Sequence, residues 1–551
     1  MPDLDSGSSA KGGQIQYVLD GRRRAALADA DNAGFSWFHF RVCMAAGIGF
    51  FTDAYDIFVI NIAATMIGYV YGEKTPGGLP QLNVNQDLGV KVATPVGTLV
   101  GQLLFGWLAD VVGRKKLWGA EIMVIVVGSF AQALSAGNYA INIVGVLVVW
   151  RFFMGLGIGG DYPLTATITS EFSATRIRGR MITGVFAAQG WGNFAAVLVC
   201  YIVTIAFKNR ILAEPDVGHL LSLDYMWRLA IGLGCIPGVI ALYFRLTVPE
   251  TPRFTMDIER NVLRASEDLN EAVSTGRLHC NRDSIILQRV DSPSASWSDF
   301  VTYFGKWENG KILLGTAYSW FALDIAFYGL GLNSSIILQA IGFGTPLTTG
   351  TQAVYDNLHN VTVGNLILSV AGLIPGYYAT FLFIDSVGRK PIQLMGFISL
   401  TILFIVMGVA YDKLTSSTAG KNAFVFLYCL SNFFQNFGAN TTTFVIPAEI
   451  FTTRYRSTGT GISAACGKLG AIVAQVGFSR MVNIGGPNAF VPHILEILAF
   501  FMFTGVFSTL LLPETKKLSL EQLSHEKQEG FVRGASTRIE AEEGVVMRHM
   551  H

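Results

Sequence analysis

GWLADVVGRKK at Gly106–Lys116 returns as FLFIDSVGRKP at Phe381–Pro391, and each follows a long apolar run. Two further pairs keep the same order: Glu171-FSAT-Arg176-I-Arg178 with Glu449-IFTT-Arg454-Y-Arg456, and Pro249-Glu250-Thr251 with Pro513-Glu514-Thr515. The three offsets are 275, 278 and 264 residues. One such pair arises easily by chance, whereas three in one order mark an internal duplication. Because both copies are tied to apolar runs, the duplicated unit is a membrane bundle, the kind of repeat from which transporters are built.

Of the 551 residues, 51% are hydrophobic and only 14% are charged, against about 25% charged in soluble chains. This composition requires a polytopic membrane protein. A helix crossing the hydrocarbon core needs roughly 20 apolar residues, since its backbone must satisfy its own hydrogen bonds there. Twelve segments qualify, near 40–68, 94–112, 117–136, 141–169, 182–207, 227–248, 311–342, 362–385, 392–411, 423–447, 459–482 and 489–512. The expected fold is an all-α membrane protein of twelve transmembrane helices in two pseudo-symmetric six-helix bundles. Residues 1–37 form an N-terminal tail, 38–250 the first bundle, 251–308 a central loop, 309–514 the second bundle and 515–551 a C-terminal tail. The run Asp257–Ser292 mixes charges with short helical periodicity and reads as a linker; the acidic stretch 540–543 reads as part of a solvated tail.

A net charge of +1 gives no reason to expect nucleic acid as a partner. Its distribution says more. Arg114/Lys115/Lys116, Arg176/Arg178/Arg180, Arg389/Lys390 and Arg454/Arg456 follow spans two, four, eight and ten, while the connections after spans three and seven carry no Lys or Arg. The positive-inside rule then makes the basic loops cytoplasmic, together with both termini and the central loop. The first 37 residues include Arg22–Arg24 and no short apolar core before a small-residue cleavage site, so no signal peptide is expected. Five of six cysteines (Cys43, Cys200, Cys235, Cys429, Cys466) fall in spans and Cys280 in the central loop, which gives no disulfide framework. No metal or cofactor set is evident. Asn360-Val361-Thr362 is a glycosylation sequon close to span eight.

An ionisable group at the bilayer centre costs about 2.5–3.5 kcal/mol on the gentlest scale, so each one is a functional candidate. The candidates are Asp53 and Asp56 in span one, Glu121 in span three, Arg151 and Asp161 in span four, Asp324 in span seven and Lys468 in span eleven. Asp53 and Asp56, three apart, share a helical face and form a pair able to hold a proton; the alternative is that they only satisfy Arg151 and helix ends. Trp320, Asp324 and Tyr328 recur every four residues and put an indole, a carboxylate and a phenol on one wall. The glycines of Gly155–Asp161 lack the strand that a nucleotide loop needs and suit close helix packing instead. Asp161 stands two residues before Pro163, where the helix ladder loses a donor. Gln189 and Lys468 occupy equivalent places in the two repeats and are expected to face each other; a plain Asp324–Lys468 salt bridge is the alternative for the lysine. Asp110, Arg114, Asp385 and Arg389 at the helix ends read as gate latches, held by charge to Glu171, Glu449 and Arg176-type partners.

The G-x-L-A-D-x-x-G-R-[KR]-[KR] loops resemble those of the major facilitator superfamily. Within it, GFFTDAYDIFVI (49–60), GGDYPLTATITSEF (159–172), SWFALDIAFYGLGLNSSIILQ (319–339) and FGANTTTFVIPAEIFTTRYRSTGTG (437–461) are similar to the fungal and plant proton-coupled inorganic phosphate transporters. Span seven lacks the QQ-x-x-G pattern usual in sugar porters. The resemblance implies a phosphate site at Tyr162, Gln189, Trp320, Asp324, Tyr328 and Asn440 with Asp161 and Lys468 close by. It implies proton movement through Asp53, Asp56, Glu121 and Arg151. Ala439 stands where relatives usually carry Pro, and Thr460 where many carry His.

The function implied is import of H₂PO₄⁻ with protons by alternating access, without enzymatic chemistry, in the plasma membrane; no oligomeric state is legible. Carriage of an organophosphate or sugar on the same fold, or sensing of phosphate, are the other readings. The charge bias yields a direct test of orientation. Single cysteines at Val112 and Val387 should stay unlabelled when an impermeant thiol reagent is added outside intact cells, and should label after permeabilisation. Labelling of both from outside would invert the topology.

Overall fold

In the computed structural model, which describes residues 35–73, 79–138, 140–215, 220–248, 251, 253, 296–342 and 348–523, the two GRK turns have one backbone shape. Gly113 (φ 113°) and Gly388 (φ 115°) both occupy the left-handed region. A side chain would be strained there, which explains why the motif carries glycine before its arginine in both copies. Each turn stops one membrane helix and starts the next.

The helices on either side are α1 Trp37–Tyr71, α2 Val84–Val112, α3 Arg114–Ala133, α4 Ile143–Phe172, α5 Arg178–Ala206, α6 Leu221–Leu246, α7 Trp307–Gly331, α8 Gly350–Val387, α9 Arg389–Val409, α11 Arg456–Met481 and α12 Val491–Leu510. These eleven are, among the described residues, long and apolar enough to cross a membrane. The expected tenth span is broken into α10a Thr418–Asn436 and α10b Ala439–Ile450. At the break the chain packs directly on α9: a Cβ on Gly438 would lie 2.6 Å from the Cα of Gly396. The chain bends at 437–438 although residue 439 is Ala rather than Pro.

α2 starts at Val84 and α8 at Gly350, earlier than the expected 94 and 362. Their first turns carry Asn85, Asp87, Lys91, Gln352, Asp356 and Asn357, polar groups that a search for apolar runs passes over. α1–α6 and α7–α12 form the two bundles, which meet along two seams, α2 with α11 and α5 with α8. The short helix Trp297–Phe304 precedes α7, and its Asp299 is 3.1 Å from Arg454.

Small residues set the closest approaches. A Cβ on Gly155 or Gly159 of α4 would sit 2.4 and 2.3 Å from the carbonyls of Thr94 and Thr98 in α2. The glycine run is therefore a packing surface, as its helical setting suggests. The sequon is interior to α8, and Thr362 is buried with its hydroxyl donated to Leu358 O at 2.9 Å. The 257–292 periodicity, Cys280, Arg22–Arg24 and the 540–543 acidic stretch lie outside the described residues.

Gly159→Leu should cost about 1–3 kcal/mol through overpacking of the α2–α4 contact. A lower apparent Tm of the full chain in detergent, with no comparable drop for Gly145→Leu, where a Cβ meets nothing within 4 Å, is the expected outcome.

Candidate functional site

Where the bundles meet at mid-depth, α7 and α11 are drawn together because Gly467 has no side chain; a Cβ there would lie 2.5 Å from Trp320 Cδ1 and 2.9 Å from Asp324 Oδ2. Lys468, 2% exposed, donates to Asp324 Oδ2 at 2.7 Å. Its Nζ also lies 4.4 Å from the ring centroid of Tyr328 and 5.1 Å from that of Tyr162, placing the cation between two aromatic faces. Gln189 donates to Tyr162 OH at 3.1 Å. Gln189 and Lys468 thus approach each other through Tyr162. Trp320 lies 6.3 Å, ring to ring, from Tyr162 and from Phe444. Asn440, in the first turn of α10b, donates to Tyr377 OH at 3.0 Å and to Asn436 Oδ1 at 2.7 Å. Phe50, Phe186 and Phe444 close the aromatic floor, with Phe186 stacked on Phe444 at 4.4 Å.

A second cluster lies inside the first bundle. Arg245 of α6 donates to Asp161 Oδ2 and to Glu121 Oε1, both at 2.6 Å, and all three side chains are fully buried. Asp161 also accepts from Thr165. The buried carboxyl of Asp53 faces Asp161, Arg245 and Asp56, and among the described residues its oxygens meet another carboxyl rather than an N–H or a hydroxyl. Three carboxyls therefore surround one guanidinium. Gly49 makes the arrangement possible, because a Cβ there would lie 1.6 Å from Arg245 Nη2.

Asp53 and Asp56 do not share a partner set: Asp56 accepts from Ser129 at 2.6 Å and lies against Gly234 in the break of α6. Arg151 donates to Val90 O at 2.8 Å and Gln132 Oε1 at 3.3 Å. Asp161 is held by Arg245 at 2.6 Å.

Ion pairs and hydrogen bonds cross between the bundles at the end carrying the GRK turns. Glu171 of α4 pairs with Arg456 of α11 at 2.7 Å and with Arg114 at 3.5 Å. Asp110 pairs with Arg114 at 3.1 Å and accepts from the backbone N–H groups of Ser457 and Thr458, at the positive end of α11. In the second copy, Arg389 grips Glu449 at 2.7 Å and Asp385 at 3.0 Å, and Asp385 accepts from Arg180 N at 3.0 Å near the start of α5. Arg176 is exposed; Glu171 takes one partner, Arg114, from its own bundle and the nearer one, Arg456, from the other. Glu514 accepts from the N–H groups of Arg389 and Lys390 and so caps α9, a role the PETKK ending does not announce.

The opposite end is joined largely by neutral groups. Asn61 donates to Ser334 Oγ at 2.7 Å and accepts from Ser335 at 3.1 Å, and Asn357 donates to Tyr69 OH at 2.5 Å.

Sequence reasoning missed Arg245, because an arginine one residue from the end of a helix reads as an interfacial anchor. Its signal was the surplus of acids in spans one, three and four, where four carboxyls (Asp53, Asp56, Glu121 and Asp161) had only Arg151 to match them. Lys91 was missed because α2 starts before the apolar run.

Residues 42–526 match the profile of a family described as sugar (and other) transporter. The repressible high-affinity phosphate permease of Neurospora crassa is 47% identical over 525 residues, 92% of this chain and 90% of that one. The inorganic phosphate transporter PHO84 of Saccharomyces cerevisiae is 46% identical over 527 residues, covering 91% and 87%. Low affinity inorganic phosphate transporter 3 of Petunia hybrida is 38% identical over 516 residues, covering 90% and 94%. In fold, the chain is similar to the MFS proton:xylose symporter XylE bound to 6-bromo-6-deoxy-D-glucose, with TM-score 0.64 and 18% identity over 88% of this chain and 98% of that one.

Removing one partner of a buried ion pair costs about 3–5 kcal/mol. Arg245→Gln should therefore lower the apparent Tm and the yield of folded carrier sharply, and Arg245→Gln with Asp161→Asn and Glu121→Gln should recover part of both. No recovery in the triple variant would show that the guanidinium is needed for packing rather than charge.

Proposed function

Because the chain belongs to the sugar (and other) transporter family and, within it, to the fungal and plant inorganic phosphate transporters, we propose that it imports H₂PO₄⁻ together with protons by alternating access. The observation that carries the reading is the Lys468–Asp324 pair, buried at 2.7 Å between Tyr162 and Tyr328. Around it stand neutral donors on Gln189, Trp320 and Asn440.

A monovalent phosphate carries hydroxyl donors as well as acceptor oxygens. Asp324 accepts from such a hydroxyl while Lys468, Gln189 and Trp320 donate to the other oxygens. Sulfate lacks the proton, so a carboxylate in the site repels it. In the state described here Lys468 is already occupied by Asp324. A proton on Asp324 removes the competing charge and releases the ammonium to the anion, which links proton binding to phosphate binding.

The cluster around Arg245 supports a second proton site. One guanidinium neutralises one carboxylate, while Asp53, Asp161 and Glu121 offer three around it, which gives the cluster the acids a proton carrier needs. Moving one charge across the membrane is worth about 2.3 kcal/mol per 100 mV, so importing a monovalent anion alone is uphill and more than one proton makes it favourable. Asp56 and Arg151 line a separate path through Ser129 and Gln132.

Access alternates when the bundles 38–250 and 309–514 rock about this site, tethered by 251–308. The ion pairs of Asp110, Arg114, Glu171, Asp385, Arg389 and Glu449 close the cytoplasmic end, and the amide contacts close the outer one. Both termini then lie on the cytoplasmic side of the plasma membrane, as the loop charges support.

In proteoliposomes, Asp324→Asn should lose proton-driven accumulation of labelled phosphate while retaining measurable phosphate binding. Wild-type accumulation with unaltered pH dependence would make Asp324 structural. Lys468→Arg should keep more uptake than Lys468→Gln, with incomplete rescue because the guanidinium is larger and planar. A protonophore should abolish accumulation by the native chain; accumulation driven equally well by sodium would overturn the coupling.

A further inference from the structure

At the end opposite the GRK turns the bundles enclose a cavity of about 180 Å³, lined by Asn61, Asp87 and Lys91 on one side and Asn333, Gln339 and Asn357 on the other. With about 30 Å³ per liquid water, this holds a tetrahedral oxyanion and some of its hydration. Lys91 is 4% exposed, and its ammonium donates to Asp87 Oδ2 at 2.8 Å and, across the seam, to Asn333 Oδ1 at 3.2 Å. Asp87 is on the same helix one turn away, and 28% of its side chain is exposed.

From this geometry we infer that the Lys91 cavity is an outer receiving site for phosphate, in which the anion replaces Asp87 on the lysine before passing to the midplane. The inference rests on the transport reading given above. Three observations support it. First, the chemistry of the midplane is repeated: a Lys–Asp pair at 2.8 Å here and 2.7 Å there, each set among neutral amides and hydroxyls, which bind an oxyanion without the repulsion of further acids. Second, the pair is built to exchange. A partly exposed carboxylate regains water on release at little cost, whereas the buried ammonium needs a new anion at once. Third, Lys91 is one of the groups that bridge the bundles. Asn333, which accepts from it, also donates to Gln475 Oε1 at 3.1 Å and Gly329 O at 3.0 Å within the second bundle. An oxyanion that takes the ammonium from Asn333 removes a cross-seam bond, so arrival of the substrate loosens the outer closure. Arg480, exposed on the second bundle and 3.0 Å from Asn85, adds a second cation at the rim.

The test is initial-rate uptake of labelled phosphate by the full chain in proteoliposomes, comparing the native protein with Lys91→Gln, Lys91→Arg and Asp87→Asn. Loss of a cation that gathers substrate should raise the apparent KM of Lys91→Gln about tenfold with Vmax changed less than about twofold, and the difference should shrink in high salt. Lys91→Arg should restore most of the KM, and Asp87→Asn should lower it below the native value. An unchanged KM in Lys91→Gln, or a fall in Vmax that Arg does not rescue, overturns the site and leaves Lys91 a strut of the seam. If Lys91→Gln does not fold, Asp87→Asn decides: a lowered KM supports the site and an unchanged or raised one overturns it. Native vesicles that take up no phosphate overturn the transport reading and the outer site with it, while native uptake with an unaffected Lys91→Gln overturns the outer site alone.

Discussion

Hydrocarbon does not solvate charge, so every buried charge in this chain has to be answered by another part of the chain, and the answers fix where the helices stand. Arg245 of α6 reaches α3 and α4 through Glu121 and Asp161. Lys468 ties α11 to Asp324 of α7. Arg456 ties α11 to Glu171 of α4 in the other bundle. Breaking such a pair costs about 3–5 kcal/mol, comparable with the whole net stability of many domains. The pairs therefore define which arrangements of the two bundles are available.

The two ends of the molecule use this constraint differently. The GRK end closes with charges and helix termini, because Asp110 and Asp385 reach backbone N–H groups in the opposite bundle. The other end closes mainly with Asn, Ser and Tyr side chains, with Lys91 and Arg480 each reaching an asparagine of the opposite bundle. Neutral amides exchange one partner for water with little net change in free energy. A buried carboxylate and guanidinium do not. One end that yields readily and one that is held by buried charge suit a transporter whose two ends open at different steps.

The midplane itself is economical in charge. Lys468 and Asp324 pair at 2.7 Å between the rings of Tyr162 and Tyr328, so their charges cancel within an aromatic-walled site. Gly467 and Gly49 are as necessary as the charged groups: the first lets α11 press Lys468 against α7, and the second leaves room for Arg245 beside Asp161. Neither glycine is distinguishable by composition from the many that only allow helices to pack.

Duplication, span count, the positive-inside bias and the candidate charges were legible in the chain, because apolar length, offset and loop charge are local properties that the bilayer forces on any sequence. The Trp320, Asp324 and Tyr328 wall followed from helical spacing alone. Pairing was not legible. That Asp161 belongs to Arg245, that Asp53 faces Asp161, that Glu171 is met by Arg456 of the other bundle, and that the tenth span breaks at Gly438 against Gly396 all depend on contacts between residues distant in sequence. The sequence states which charges enter the membrane; only the packed helices decide which of them meet, since a hydrocarbon interior makes each charge seek the nearest partner in space.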